Sequence, residues 1–156
     1  ARIPEGAVSD AMLSGYDIMP TLLSYAAIRY ADVSRPGKDF TQILTGTRND
    51  AEDAKVIVYD EYGPVRMIRS HAWKYIHRFP DGPHELYHLS EDPDERVNLV
   101  DLPEYSGMIK EMQSELESWF SRYVDEDKDG IREPVTGKGQ TDFVGKRRTE
   151  EISFTQ

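Results

Sequence analysis

Hydrophobic and polar positions fall into two regimes along this chain. From Ile18 to Ile28 the run Ile-Met-Pro-Thr-Leu-Leu-Ser-Tyr-Ala-Ala-Ile is apolar nearly all round. Ile18, Leu22, Tyr25 and Ala26 share one face, with Met19 and Leu23 alongside, so a helix over 18–28 is predicted. Asp17 stands as its N-cap and Pro20 in its first turn, where a missing N–H costs nothing. A helix this apolar wants burial on more than one side.

The second regime runs from Lys55 to Tyr123. Lys55–Tyr62 reads as a strand, and its four successive apolar residues Val56–Tyr59 suit a position covered on both faces. Val65–Arg69, Trp73–Arg78 and Glu85–Leu89 follow as short runs rich in β-branched and aromatic residues. His71-Ala72 and Pro80-Asp81-Gly82-Pro83 separate them. Such connections force antiparallel neighbours, because a parallel partner needs a crossover of about a dozen residues. Met108, Met112, Leu116, Trp119, Phe120 and Tyr123 then recur at helical spacing, with Lys110, Gln113, Ser114, Glu117 and Ser121 opposite. Asp101 is positioned to cap this helix, Glu104 to reach back, and Pro103 to sit early in it. The expected fold class is α+β: a four-stranded antiparallel sheet packed against one long C-terminal helix.

Between the two regimes, Ser34-Arg35-Pro36-Gly37 makes a loop. Phe40, Ile43 and Leu44 suggest one helical turn closed by Gly46, and 47–54 is polar and exposed. From Asp125 onward the composition turns polar and glycine-scattered, which predicts an extended or partly disordered tail over 125–156.

Composition narrows the function classes. With 156 residues the chain holds one domain with a real core. A net charge of -10 disfavours nucleic-acid partners and anionic membrane alike. No run approaches the ~18 apolar residues of a membrane helix. There is no cysteine, hence no disulfide, thiolate ligand or Cys nucleophile. The chain opens at Ala1 with no leader, and is read as an excised piece of a longer protein.

Candidate chemistry concentrates in the meander, which holds all four histidines: His71, His77, His84 and His88. Their spacing is not that of a zinc site. His77, Arg78 and His84 flank the Phe79–Pro83 loop, and His71 lies in a turn. Loops on a rigid sheet commonly carry recognition, and Arg or His suits anionic or hydroxyl groups. Trp73, Tyr75 and Tyr87 are expected beneath the helix rather than as an open sugar platform. Asp125-x-Asp127-x-Asp129-Gly130 imitates the start of a calcium loop, but Thr136 stands where a bidentate Glu belongs, with Glu133 as substitute. A solvated acidic run is expected there. Gly137-Lys138-Gly139-Gln140 is too short for a phosphate loop.

The order of motifs adds more. Arg2-Ile3-Pro4-Glu5-Gly6, Asp17-Ile-Met-Pro-Thr-Leu-Leu23, Phe40-Thr-Gln-Ile-Leu-Thr-Gly46 and Glu85-Leu-Tyr-x-Leu-x-x-Asp-Pro-x-Glu-x-x-Asn-Leu99, with a closing helix, resemble the C-terminal portion of type I sulfatases in the alkaline-phosphatase-like superfamily. The resemblance covers roughly residues 2–124. It implies that 1–50 is the end of a larger α/β domain, 51–124 a small C-terminal domain, and 125–156 a tail. It implies a parent using calcium and a formylglycine made from a Cys/Ser-x-Pro-x-Arg motif, with the catalytic N-terminal domain missing here. The fragment would then hold no catalytic or metal-binding residue. Its His77, Arg78, His84 and His71 would border a cleft for a sulfated small molecule or carbohydrate. A related phosphonate or phosphate monoester hydrolase, or a free-standing binding module, are the alternatives. Sulfatases are mostly exported and a minority cytoplasmic, so the compartment stays open. The family often has glycine at Ala27, where a helix end prefers it.

Overall fold

The computed structural model describes residues 3–29, 34–48, 54–59 and 64–131. The chain divides into two compact units, Ala1–Val56 and Ile57–Gln156.

In the first unit, Ser14 opens a short 3-10 turn, Gly15–Asp17, that runs into helix α1, Ile18–Tyr25. A second helix, α2, is a single turn at Thr41–Leu44. Asp17 does not cap α1 through its side chain, as its position had suggested. Its buried carboxylate instead accepts the Ser14 and Lys38 backbone N–H groups, each at 2.7 Å. One turn on, buried Thr21 accepts the Phe40 N–H at 3.0 Å, and its own carbonyl accepts the Thr41 hydroxyl at 3.2 Å. Asp17 and Thr21 thus stitch the 37–41 segment along α1. The approach is so close that a Cβ on Gly37 would lie 2.1 Å from the Tyr16 carbonyl oxygen. Only glycine fits there.

The helix is shorter than the apolar run. It stops at Tyr25 because Ala27 takes a left-handed conformation, φ 57°, and the chain closes with Ile28 N–H to Leu23 O and Ala27 N–H to Ser24 O. This is the paired hydrogen-bond pattern of a Schellman end, which ordinarily uses glycine. Ile18 and Leu22 remain 61% and 60% exposed, and Leu13, Tyr25 and Ile28 are exposed too. Together with Phe40 and Leu44, the first three border an apolar depression of about 160 Å³.

The second unit is a meander ordered β1-β2-β3-β4: Val56–Tyr59, Val65–Arg69, Trp73–Arg78 and Glu85–His88. Strands β2, β3 and β4 pair antiparallel, with Ile68 opposite Tyr75 and Tyr75 opposite Leu86. β1 is an edge strand and Val58 on it is exposed, so the expectation of cover on both faces fails. Residues 60–62 of that expected strand lie outside the described ones.

Helix α3, Ser106–Tyr123, lies across one face of the sheet. Met112, Leu116 and Phe120, one turn apart on its inner side, meet Ile68, Tyr75 and Leu86 in one core. Asp101 and Glu104 form no capping box. Pro103–Tyr105 is a 3-10 turn, closed by backbone bonds from Leu102 N–H to Leu99 O and Tyr105 N–H to Leu102 O. After the helix, 125–131 folds into an ordered turn, Glu126–Lys128, whose Asp129 returns to the sheet and pairs with Arg66. The remainder of the expected tail, 132–156, lies outside the described residues. No helix among the described residues is long and apolar enough to cross a membrane.

Two substitutions test this packing. Ala27→Gly relieves a left-handed alanine and is expected to stabilise the first unit by about 0.5–1 kcal/mol. Leu116→Ala opens a cavity in the second core and is expected to cost about 2–5 kcal/mol. Urea unfolding of each variant measures both.

Candidate functional site

Strand alternation sorts the meander's polar residues onto two faces. Arg66, Trp73, His77 and His88 lie on the helix side with Ile68, Tyr75 and Leu86. Lys74, Arg78, Glu85 and Tyr87 lie on the other.

His77 and His84 come together. Their rings stack with centroids 4.4 Å apart and planes 16° from parallel. The Tyr75 hydroxyl and His77 Nδ1 are hydrogen-bonded at 3.1 Å, and the Arg78 backbone N–H donates to His84 Nδ1 at 3.2 Å. Burial and the neighbouring His84 hold His77 below the ordinary imidazole range, and burial pushes the Tyr75 phenol up. The Arg78 side chain goes to the opposite face. There it donates to the Pro83 carbonyl at 2.8 Å and pairs with Glu85, which accepts the Tyr87 hydroxyl at 2.9 Å. His71 is exposed in the β2–β3 turn, at the far end of β3. The four candidate residues therefore do not converge on one point. The 79–84 end of the hairpin carries three of them.

Trp73, Tyr75 and Tyr87 form no common platform. Tyr75 is fully buried and Tyr87 faces away from the helix. Trp73 stacks on His88 at 4.2 Å, with Tyr105 tilted against it at 5.4 Å. The acidic run is engaged internally: Asp125 accepts the Asp127 N–H and pairs with Lys128, and Asp129 accepts the Ile131 N–H and pairs with Arg66. Glu133 and Thr136 lie outside the described residues, as does Gly137–Gln140. Among the described residues no three His, Asp or Glu side chains stand close enough to hold a metal. Ser34-Arg35-Pro36-Gly37-Lys38 is the nearest approach to Cys/Ser-x-Pro-x-Arg, with lysine where the motif needs arginine. The sequence contains no Cys/Ser-x-Pro-x-Arg motif from which a formylglycine could be made.

The family model described as "N-sulphoglucosamine sulphohydrolase, C-terminal" matches residues 1–122. The chain belongs to this family. It is 30% identical, over 116 residues, to the Delta 4,5-hexuronate-2-O-sulfatase of Bacteroides thetaiotaomicron, a match covering 70% of this chain and 24% of the relative. A solved 2-O GAG sulfatase aligns over 87% of the chain and 30% of its own length, at 25% identity and a TM-score of 0.55. The phosphonate monoester hydrolase of Agrobacterium radiobacter covers 70% of the chain and 25% of its own length, at 22% identity and a TM-score of 0.51, a likeness of fold. The chain thus spans a quarter to a third of the curated relatives it matches.

The polar residues of the 85–99 stretch have structural jobs. Asn98 lies beside β4: its Oδ1 accepts the Leu86 and Val100 N–H groups at 2.9 and 3.1 Å, and its Nδ2 donates to the His84 carbonyl at 3.0 Å. Leu99 N–H then bonds Leu86 O, so the two chains run on as a short ladder. Asp92 closes the turn by accepting the Val97 N–H at 2.8 Å, and the Val97 and Arg96 amides hold its carboxyl below the usual range. Glu95, at φ 56°, turns back to Lys74 at 2.6 Å. In Glu-Leu-Tyr-x-Leu-x-x-Asp-Pro-x-Glu-x-x-Asn-Leu, the side chains of Asp92, Glu95 and Asn98 thus hold the turn and the edge of β4.

Arg66 went unnoticed in the sequence, where it resembles any strand-surface charge. It is buried, its guanidinium 3.7 Å above the Phe120 ring, and its Nε has no partner among the described residues. Asp129→Ala leaves that guanidinium buried without its counter-charge. An expected loss of about 2–3 kcal/mol follows, and Arg66→Met together with Asp129→Ala recovers most of it, because the uncompensated charge is gone. A double-mutant cycle by urea denaturation reads the difference.

Proposed function

We propose that this chain is the C-terminal region of a sulfuric ester hydrolase, completing that enzyme's fold and bordering its substrate cleft, with the reaction carried out by an N-terminal catalytic domain of the same protein. One observation carries the reading. The family match runs over 1–122, yet the chain spans only a quarter to a third of its sulfatase relatives. The exposed apolar side of α1 supports it, since such a surface calls for cover. In this reading 1–50 is the end of the large domain and 51–124 the small one. The parent supplies formylglycine and a divalent cation, calcium in the family's pattern, and this chain's residues hold neither.

The part of the chain assigned to the cleft is the 79–84 end of the hairpin. His71 sits at the other end of β3, roughly 18 Å away by strand rise, too far to share one small substrate with His84. At the near end, His77 and His84 offer imidazole hydrogen bonds on one face and Arg78 a cation on the other. A sulfated sugar presents hydroxyls and an anion that suit both.

A second reading has its own support: the phosphonate monoester hydrolase shares the small-domain fold. The experiment that separates them is an assay of the longer parent protein on matched sulfate, phosphate and phosphonate monoesters. The proposal expects a Cys/Ser-x-Pro-x-Arg motif upstream, fastest turnover on the sulfate ester, and no turnover by the 156-residue chain alone. Absence of the motif, or a preference for the phosphonate, overturns it.

A further inference from the structure

We propose that the stacked His77–His84 pair is a proton-operated clasp at the base of the β3–β4 loop: the Arg78 N–H to His84 Nδ1 tie holds while both rings are neutral, and a proton arriving on His84 Nδ1 breaks it, leaving the loop on its remaining bonds. The inference stands on the loop's geometry and does not need the cleft reading above.

The loop from Phe79 to Pro83 is tied by Phe79 N–H to Pro64 O at 3.0 Å and by the Arg78 guanidinium to Pro83 O at 2.8 Å, and the His84 ring adds a separate fastening. The Arg78 N–H donates to His84 Nδ1, and the His84 ring lies flat on His77. Gly82, at φ 92°, brings the chain so close that a Cβ there would lie 2.7 Å from the His84 backbone nitrogen. Gly82 N–H closes the turn on Arg78 O at 3.0 Å. The acceptor role of Nδ1 means that in the neutral ring the hydrogen sits on Nε2. A proton taken from solvent can therefore go only to the Nδ1 lone pair. Two N–H groups then face each other, and the Arg78 amide loses its acceptor.

The surroundings oppose the new charge. From β2, across the ladder from His77, comes the Arg66 cation. From β3 come the Tyr75 hydroxyl, already on His77 Nδ1, and the Arg78 guanidinium, which is occupied by Glu85 and Pro83. Asp129, the acidic group nearest Arg66, is committed to it. From α3 there is one carboxylate, Glu117, exposed and screened by water. A second cation stacked on the first would meet burial and the other ring's charge first, while Glu117 more than offsets the repulsion from Arg66.

Burial, then His84 and Arg66, depress the folded-state value of His77, so the unfolded chain binds protons first as pH falls. The stability this contributes is complete above about pH 6.5 and is lost as pH drops through the depressed folded value.

The test is amide hydrogen exchange of the intact 156-residue chain, followed by NMR at Arg78 and converted to protection factors, which remove the intrinsic pH dependence of exchange. Between about pH 7.5 and pH 5, Arg78 protection is expected to fall, by at most about tenfold per pH unit for a single proton taken up, while Ile68 and Tyr75 stay protected. In His84→Phe, which keeps a ring for the stack but no acceptor, Arg78 is expected to be poorly protected at every pH. A wild-type protection factor that changes less than about twofold over the range overturns the proposal, whatever the variant does. So does a fall of the same size in His84→Phe.

Discussion

The second unit depends on one seam: the side of α3 carrying Met112, Leu116 and Phe120 pressed onto Ile68, Tyr75 and Leu86. A four-stranded antiparallel sheet with one bare face does not hold together in water, and a lone amphipathic helix is marginal. Each supplies the surface the other lacks. The remaining features guard the edges of that seam. Asn98 and Leu99 extend β4, Asp92 and Glu95 shape the turn before α3, and Arg66, lying on Phe120, takes Asp129 from beyond the helix end.

That arrangement gives the polar residues of 85–99 structural work in this chain. Asn98 and Asp92 secure backbone groups beside β4 and in the turn, and Glu95 joins the turn to β3. Buried polar groups are costly when unpaired, so Asn98 with its three backbone partners is hard to replace. In the first unit Asp17, Thr21 and Gly37 do the equivalent work, fixing the 37–41 segment along α1.

Much of this was legible in the chain itself. Alternation and turn chemistry revealed the meander, and the spacing of Met112, Leu116 and Phe120 revealed the helix and its inner face. What escaped notice shares a physical cause. Asp17 and Arg66 each look in isolation like a cap or a surface charge, and their partners lie far along the chain or in the backbone. The end of α1 was misjudged because hydrophobicity continues to Ile28 while Ala27 adopts a left-handed conformation. At the hairpin end, clustering of histidines pointed to a shared site, but strand alternation sent Arg78 to one face and His77 to the other, and His71 to the distant turn.

The first unit raises the question on which the functional reading turns. Ile18 and Leu22 hold their apolar surface toward water, at a cost of roughly 25 cal/mol for each Å² that could be buried. If the rest of a sulfatase covers this helix, hydrogen–deuterium exchange across 18–28 should slow markedly in the full-length protein relative to the 156-residue chain. Equal exchange in the two would contradict the reading, leaving α1 as an open surface of a self-sufficient module.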